Sequence, residues 1–405
     1  MNEIGVVIRG ESCSFDASMS VPLLNLAEHN RPYQDRMREA FDRFLASGQY
    51  IGGDQVTLFE KEVASYLGVS ECVAVSSGTD ALLLALMALD VGPGDEVICP
   101  SFTFFATAGV VHRLGAKPVF AEILEGSFNM DPEDIEHRIT PRTKGIIPVH
   151  LFGQMANIAR IQAIADKHGL FVLEDAAQAI GARYNGKHAG AFGAFGAFSF
   201  YPTKNLSGLG DSGLVSTNDP KLAAKARILR VHGMDPVYYH SHVGGNFRFD
   251  PIQGALLRIK LPDLDASIGL RQERAARYVS RLGSHPAVAL SCEDAAGKRL
   301  VLPETSPGNA HTFNQFTIRV RGEGARDRLV AQLKAAGIGH GIYYPLGLHQ
   351  QECFRCHTGG AVSLPVTEAA CREVLSIPIV PEIKLEQIDE VCDRIIGFLD
   401  GGSAA

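Results

Sequence analysis

Apolar residues in this chain recur in two alternating patterns. Short runs of four or five apolar positions stand between turn-forming residues, and longer stretches carry apolar residues at helical spacing. Between about Gly68 and Thr217 the short runs are Glu71–Val75, Glu96–Cys99, Lys117–Phe120, Gly145–Val149, Leu170–Leu173, Ala197–Tyr201 and Gly213–Ser216. Runs apolar throughout belong to strands covered on both faces. Their alternation with helical stretches predicts a mainly parallel sheet between helices. Ala81–Leu89 is apolar nearly all round and reads as a buried helix. A long helix near Gln272–Leu282 marks a change of domain. Beyond it, the strand Asn314–Val320, a helix over 325–336, the segment Ile338–Tyr344 and a closing helix Leu385–Leu399 predict a smaller α+β unit.

Composition narrows the classes. The 405 residues are 46% hydrophobic and 20% charged, ordinary values for a soluble enzyme of one large and one smaller domain. A net charge of −7 gives no basic footprint, so no nucleic-acid partner is expected. No apolar run approaches the ~20 residues that cross a bilayer, and the first twenty residues lack the pattern of a secretory signal. Eight scattered cysteines fit a reducing cytoplasm. The expected division is a flexible arm over 1–20, a large domain over 21–270 and a small one over 271–405.

Three segments carry candidate chemistry. The aromatic run Phe198-Ser199-Phe200-Tyr201 delivers Lys204 to the start of a glycine-rich loop. Burial there disfavours the ammonium form, and a neutral amine is what bond formation with a carbonyl requires. The strand ending in Glu174-Asp175 puts a carboxylate at the carboxyl edge of a parallel sheet, where ligands bind. Read alone, Asp175 is better taken as merely the cap of a helix beginning at Ala176. Ser76-Ser77-Gly78-Thr79-Asp80 opens the buried helix and offers free N–H groups and hydroxyls to a phosphate; Thr79 or Asp80 could instead be a plain N-cap.

In this order, SSGTDAL, EDAAQA and FSFYPTKNLSGLGDSG resemble the DegT/DnrJ/EryC1/StrS family of aminotransferases, as do GQYIGG, GPGDEV, PSFTF and GNFR. The resemblance runs from about Val21 to about Ile395. It implies the pyridoxal-phosphate-dependent transferase fold of type I: α/β, with a mainly parallel mixed sheet in the large domain and a small C-terminal α+β domain. It implies pyridoxal 5′-phosphate as cofactor. By the resemblance, Lys204 is the Schiff-base lysine and proton shuttle, and Asp175 holds the pyridine nitrogen protonated. Gln178 lies near the ring hydroxyl and Phe104 stacks on the cofactor face. Gly78, Thr79 and Ser199 cradle the phosphate, joined by Asn246 from a partner subunit in a homodimer with shared active sites. The expected reaction moves an amino group from an amino acid, L-glutamate in most of the family, to a nucleotide-linked keto sugar. The segment Tyr238–Asp250 looks more like members acting on 3-keto sugars. A 4-keto sugar, an inosose, or a regulatory protein that binds the cofactor without turnover are the alternatives.

Three motif matches point elsewhere and are set aside on physical grounds. Gly208-Leu209-Gly210-Asp211-Ser212-Gly213 fits a dinucleotide-binding pattern, but a strand rather than a helix is expected to follow. The run Gly181–Lys187 resembles a phosphate-binding loop, but His188 stands where a hydroxyl must ligate magnesium, and Asn185-Gly186 reads as a hairpin turn. Cys353-Phe354-Arg355-Cys356-His357 fits a haem-attachment pattern without an export signal, and no fourth zinc ligand can be named.

Overall fold

The computed structural model describes residues 20–358 and 362–401. Apart from Ser20, the expected N-terminal arm lies outside the described residues. The strands, in chain order, are β1 (Glu71–Val75), β2 (Glu96–Pro100), β3 (Lys117–Ala121), β4 (Thr143–Ile146), β5 (Phe171–Asp175), β6 (Arg183–Tyr184), β7 (Lys187–His188), β8 (Phe195–Ser199), β9 (Gly213–Thr217), β10 (Val288–Ala289), β11 (Leu300–Val301), β12 (Asn309–Ala310), β13 (Phe316–Val320) and β14 (Val374–Ile377).

Seven of them form one sheet in the order β1-β9-β8-β5-β4-β2-β3. Only β9 runs against its neighbours, pairing antiparallel with β1 and β8; the other pairs are parallel. Successive side chains on a strand point to opposite faces. Cys72 and Ala74 accordingly enter one hydrophobic cluster while Val73 and Val75 enter another, and Leu214 and Val215 divide in the same way. The helix Gly78–Ala88 fills the second cluster with Leu82, Leu84 and Leu86. Each such burial stabilises the fold by roughly 1.5–3 kcal/mol.

The C-terminal sheet has the order β10-β11-β13-β14 and packs against the helices Leu264–Leu282, Ala325–Ala335 and Leu385–Leu399. Its core gathers Tyr278, Phe316, Ile318, Leu329, Ile388 and Ile395. Val21 belongs to this core too and bridges to Ile338, so the first described residues side with the C-terminal unit although the expected division groups residue 21 with the large one. The segment Ile338–Tyr344 contributes isolated bridges at Ile338 and Gly341 rather than a strand.

Two further expectations change in detail. No helix starts at Ala176: residues 176–182 run through turns, with Ala176 N–H donating to Ala197 O on the neighbouring strand (2.9 Å) and Gly181 at positive φ. Asn185 and Gly186, both at positive φ, do form the hairpin turn between β6 and β7.

Candidate active site

The lysine loop is closed at its neck. Phe198 and Phe200 are buried, Phe200 N–H donates to Ser212 O (2.8 Å) and Gly208 N–H donates to Phe200 O (2.7 Å). Lys204 lies between these closures, its own N–H donating to Tyr201 O (2.9 Å). From outside, Asn205 Nδ2 donates to Thr312 O (3.2 Å), and the buried ammonium of Lys260 donates to Ser207 O (2.7 Å). After Gly213 the chain continues as β9, so the glycine pattern at 208–213 leads into a strand.

Burial lowers the pKa of Lys204 from its ordinary value to about 8, against the pull of the nearby Asp175 charge. Asp175 ends β5 and is 5% exposed. Its Oδ2 accepts the Thr107 hydroxyl (2.8 Å) and its Oδ1 accepts Ala177 N–H (3.2 Å). Burial nevertheless raises its pKa above the usual carboxylate range, because these two bonds oppose the desolvation only in part. The neighbouring Glu174 behaves in the opposite way. It is fully buried, but the bond to His150 Nε2 (2.9 Å) and the three backbone N–H groups hold its pKa below the ordinary value. Nδ1 of His150 accepts Ala156 N–H (3.2 Å), which leaves the ring proton on Nε2, facing Glu174.

Gln178 is oriented at both ends. Its Oε1 accepts Phe152 N–H (2.7 Å) and its Nε2 donates to the Tyr344 oxygen (3.2 Å). Phe104 is 58% exposed, not core, and its ring centroid lies 6.5 Å from that of Tyr344. A second assembly forms at the helix Gly78–Ala88. Its N-cap is Ser77, whose hydroxyl accepts Asp80 N–H (3.0 Å); neither Thr79 nor Asp80 takes that place. Gly78 presses on Ser199: a Cβ added to it would stand 2.7 Å from Cβ of Ser199. The start of the helix and the end of β8 thus meet where the helix dipole is positive.

The fold therefore joins Lys204 with Asp175, Gly78 with Ser199, and Phe104 with Gln178 through Tyr344. Thr79 is half-buried beside Gly78. Asn246 stands apart on an exposed loop, its Oδ1 accepting from Arg248 (2.6 Å), although Phe247 O next to it receives Ser76 N–H (3.2 Å). Sequence reasoning missed Thr107, Tyr344 and the pair His150–Glu174. The one signal for Thr107 was a hydroxyl on an otherwise apolar helix face soon after Phe104.

Cys353 and Cys356 are exposed, and His357 bonds to His112 (2.7 Å). His349 is held by Ser101 (2.6 Å). Among the described residues no helix is long and apolar enough to cross a membrane.

The sequence profile of the DegT/DnrJ/EryC1/StrS aminotransferase family matches residues 33–396. A pleiotropic regulatory protein of Geobacillus stearothermophilus is 45% identical over 94% of this chain and 99% of its own. The UDP-N-acetyl-3-dehydro-alpha-D-glucosamine 3-aminotransferase of Acidithiobacillus ferrooxidans is 43% identical, with the same coverage of both chains. The crystal structure of S. venezuelae DesV in complex with a ketimine intermediate superposes with a TM-score of 0.87 at 39% identity, covering 95% of this chain and 99% of that one. This chain belongs to the DegT/DnrJ/EryC1/StrS aminotransferase family. Its cofactor is pyridoxal 5′-phosphate, and the site fits it: a buried carboxylate suited to a cationic ring nitrogen, a lysine of lowered pKa, and a tight glycine turn at a helix start.

Proposed function

We propose that the protein transfers the amino group of an amino acid, L-glutamate in the first instance, to a nucleotide-linked 3-keto sugar. The observation that carries this reading is Lys204, with its pKa lowered to about 8 by burial, set beside the charge of Asp175. The 3-keto assignment draws on the relative from Acidithiobacillus ferrooxidans, whose name places its amino group at carbon 3.

Bound pyridoxal phosphate supplies the electron sink for the reaction. The chain's own groups do the rest. Lys204 Nζ holds the cofactor and, once released, moves the α-proton of the amino donor. Asp175, oriented by Thr107, keeps the ring nitrogen protonated. Gln178 addresses the ring hydroxyl and Phe104 covers the ring face. Gly78, Thr79 and Ser199 receive the phosphate with backbone N–H and hydroxyl donors at the helix start.

The working unit in this proposal is a homodimer in which Asn246 reaches the phosphate of the partner's site. Its loop supports this by its surface, since Val237, Tyr238, Tyr239 and Val243 are all strongly exposed there, Tyr238 to 86% and Val243 to 92%. We place the enzyme in the cytoplasm, where nucleotide sugars are made.

A regulatory protein without turnover is the second reading. It draws on the name of the Geobacillus stearothermophilus relative. The retention of Lys204, Asp175 and Gln178 together weighs against it, because the full set is what turnover uses.

The experiment is to incubate the loaded enzyme and L-glutamate with UDP- and dTDP-linked 3-keto and 4-keto hexoses, and to follow 2-oxoglutarate and amino sugar by mass spectrometry. Amination of 3-keto substrates is the expected result. Amination of 4-keto substrates alone would reject the carbon assignment, and no amination of any of them would reject the sugar.

A further inference from the structure

One phenol in the site has a hydrogen to spare. Tyr344 comes from the C-terminal part of the chain, yet its ring lies 5.9 Å from Phe102 and 6.5 Å from Phe104. Its oxygen accepts Nε2 of Gln178 (3.2 Å). That carboxamide cannot be turned round, because its Oε1 is needed by Phe152 N–H (2.7 Å). A hydroxyl offers one hydrogen and two lone pairs. With Gln178 donating into a lone pair, the Tyr344 hydrogen must point elsewhere. Among the described residues, the bond from Gln178 is the one hydrogen bond to this oxygen.

The hydrogen also stays in place. Burial first, and the negative charge of Asp175 second, raise the phenol well above its ordinary pKa. Tyr344 is therefore a neutral donor at neutral pH. A tyrosine serving only to fill space would be expected to spend its O–H on a neighbouring carbonyl, as Tyr278 does on Pro378 O (2.8 Å).

We infer that Tyr344 is a ligand-binding residue whose O–H donates to an anionic oxygen of a molecule held in this site, its direction fixed by Gln178. The inference rests on the aminotransferase reading above. Two sources present such an oxygen: the ionised ring hydroxyl of pyridoxal phosphate and the carboxylate of the amino donor.

The test compares wild type with Tyr344→Phe, which keeps the ring and removes the hydrogen. Three quantities are read: the dissociation constant of pyridoxal phosphate, the pH at which its visible band titrates, and the dissociation constant of glutarate, an unreactive dicarboxylate. If the ring oxygen is the acceptor, the band titration shifts and the cofactor constant rises by about tenfold, the weight of one hydrogen bond to a charged group. If the donor carboxylate is the acceptor, the glutarate constant and the KM for glutamate rise by about tenfold while kcat and the band hold. Should all three quantities match wild type, the inference is overturned. If Tyr344→Phe does not fold, 3-fluorotyrosine at position 344 keeps the shape and shifts the same readouts through a more acidic hydroxyl. A wild-type protein that shows no cofactor band at all overturns the aminotransferase reading first, and this inference with it.

Discussion

Thr107 donates its hydroxyl to Oδ2 of Asp175 over 2.8 Å, and Thr107 is itself steadied by Thr103 at 3.1 Å. All three side chains are buried. The helix Ala106–Arg113, which follows β2, thereby sets the direction of a carboxylate that ends β5, two places from β2 in the sheet. Among the described residues no lysine, arginine or histidine forms an ion pair with Asp175. Thr107→Val removes the hydroxyl with little change in shape. The loss is expected to cost about 1–3 kcal/mol, because a buried carboxylate loses a donor. Affinity for pyridoxal phosphate is expected to fall with it; urea unfolding with and without cofactor reads both.

Asp175→Asn is expected to separate stability from function. Burial raises the folded pKa of Asp175. The unfolded chain therefore releases this proton more readily, and folding loses stability as pH climbs from ~4 towards the folded pKa. At neutral pH the asparagine variant avoids that cost. Its cofactor-free form is expected to melt roughly 1–3 °C above wild type, while transamination drops by at least about a hundredfold for want of a charge at the ring nitrogen. A calorimetric scan and a glutamate-dependent rate decide it. A less stable apoprotein would contradict the burial argument.

Lys204 gives the opposite pH dependence. Its pKa falls from 10.5 unfolded to about 8 folded, so between those values the unfolded state binds more protons and stability rises with pH. Below pH ~8 both states are charged and the burial cost is constant. Lys260, lowered to about 8 by the same cause, adds a slope of the same sign. Denaturation of the cofactor-free protein at pH 7, 8.5 and 10 is therefore expected to show rising stability, with a shallower rise in Lys204→Met. Equal slopes in the two proteins would mean that Lys204 is not desolvated.

Gly78→Ala tests the phosphate turn. The added methyl would stand 2.7 Å from Cβ and 3.3 Å from Cα of Ser199, so the helix start and the end of β8 must part. The affinity for pyridoxal phosphate is expected to fall by about ten- to a hundredfold, through lost alignment of backbone donors. Titration of the apoprotein by fluorescence measures it. An unchanged affinity would place the phosphate elsewhere.

Much of this was legible in the sequence because it is local. β1 coincides with the apolar run Glu71–Val75, and the closing helix spans Leu385–Leu399 as its periodicity predicts. The strand after Gly213 and the turn at Asn185-Gly186 also arise from nearest neighbours. Most of the failures share a physical cause, which is that the deciding partner lies far along the chain. In place of a helix at Ala176, its N–H pairs with Ala197 O on β8, 21 residues on. The N-cap is the exception, a local one: Ser77 takes it from Thr79 and Asp80 because its extended backbone aims the hydroxyl at Asp80 N–H, three residues on. Val21 packs with Ile338 rather than with the large domain that it precedes in the chain. Tyr344 reaches Gln178 from 166 residues away, a distance no periodicity spans.

The central claim is that Lys204 holds the cofactor. Reduction of the pyridoxal-phosphate-loaded protein with borohydride, followed by peptide mass spectrometry, tests it most directly. The account predicts the added mass on Lys204, and its loss from that peptide when L-glutamate is supplied before reduction. Label on Lys260, the other buried lysine of lowered pKa, or no label at all, would contradict it.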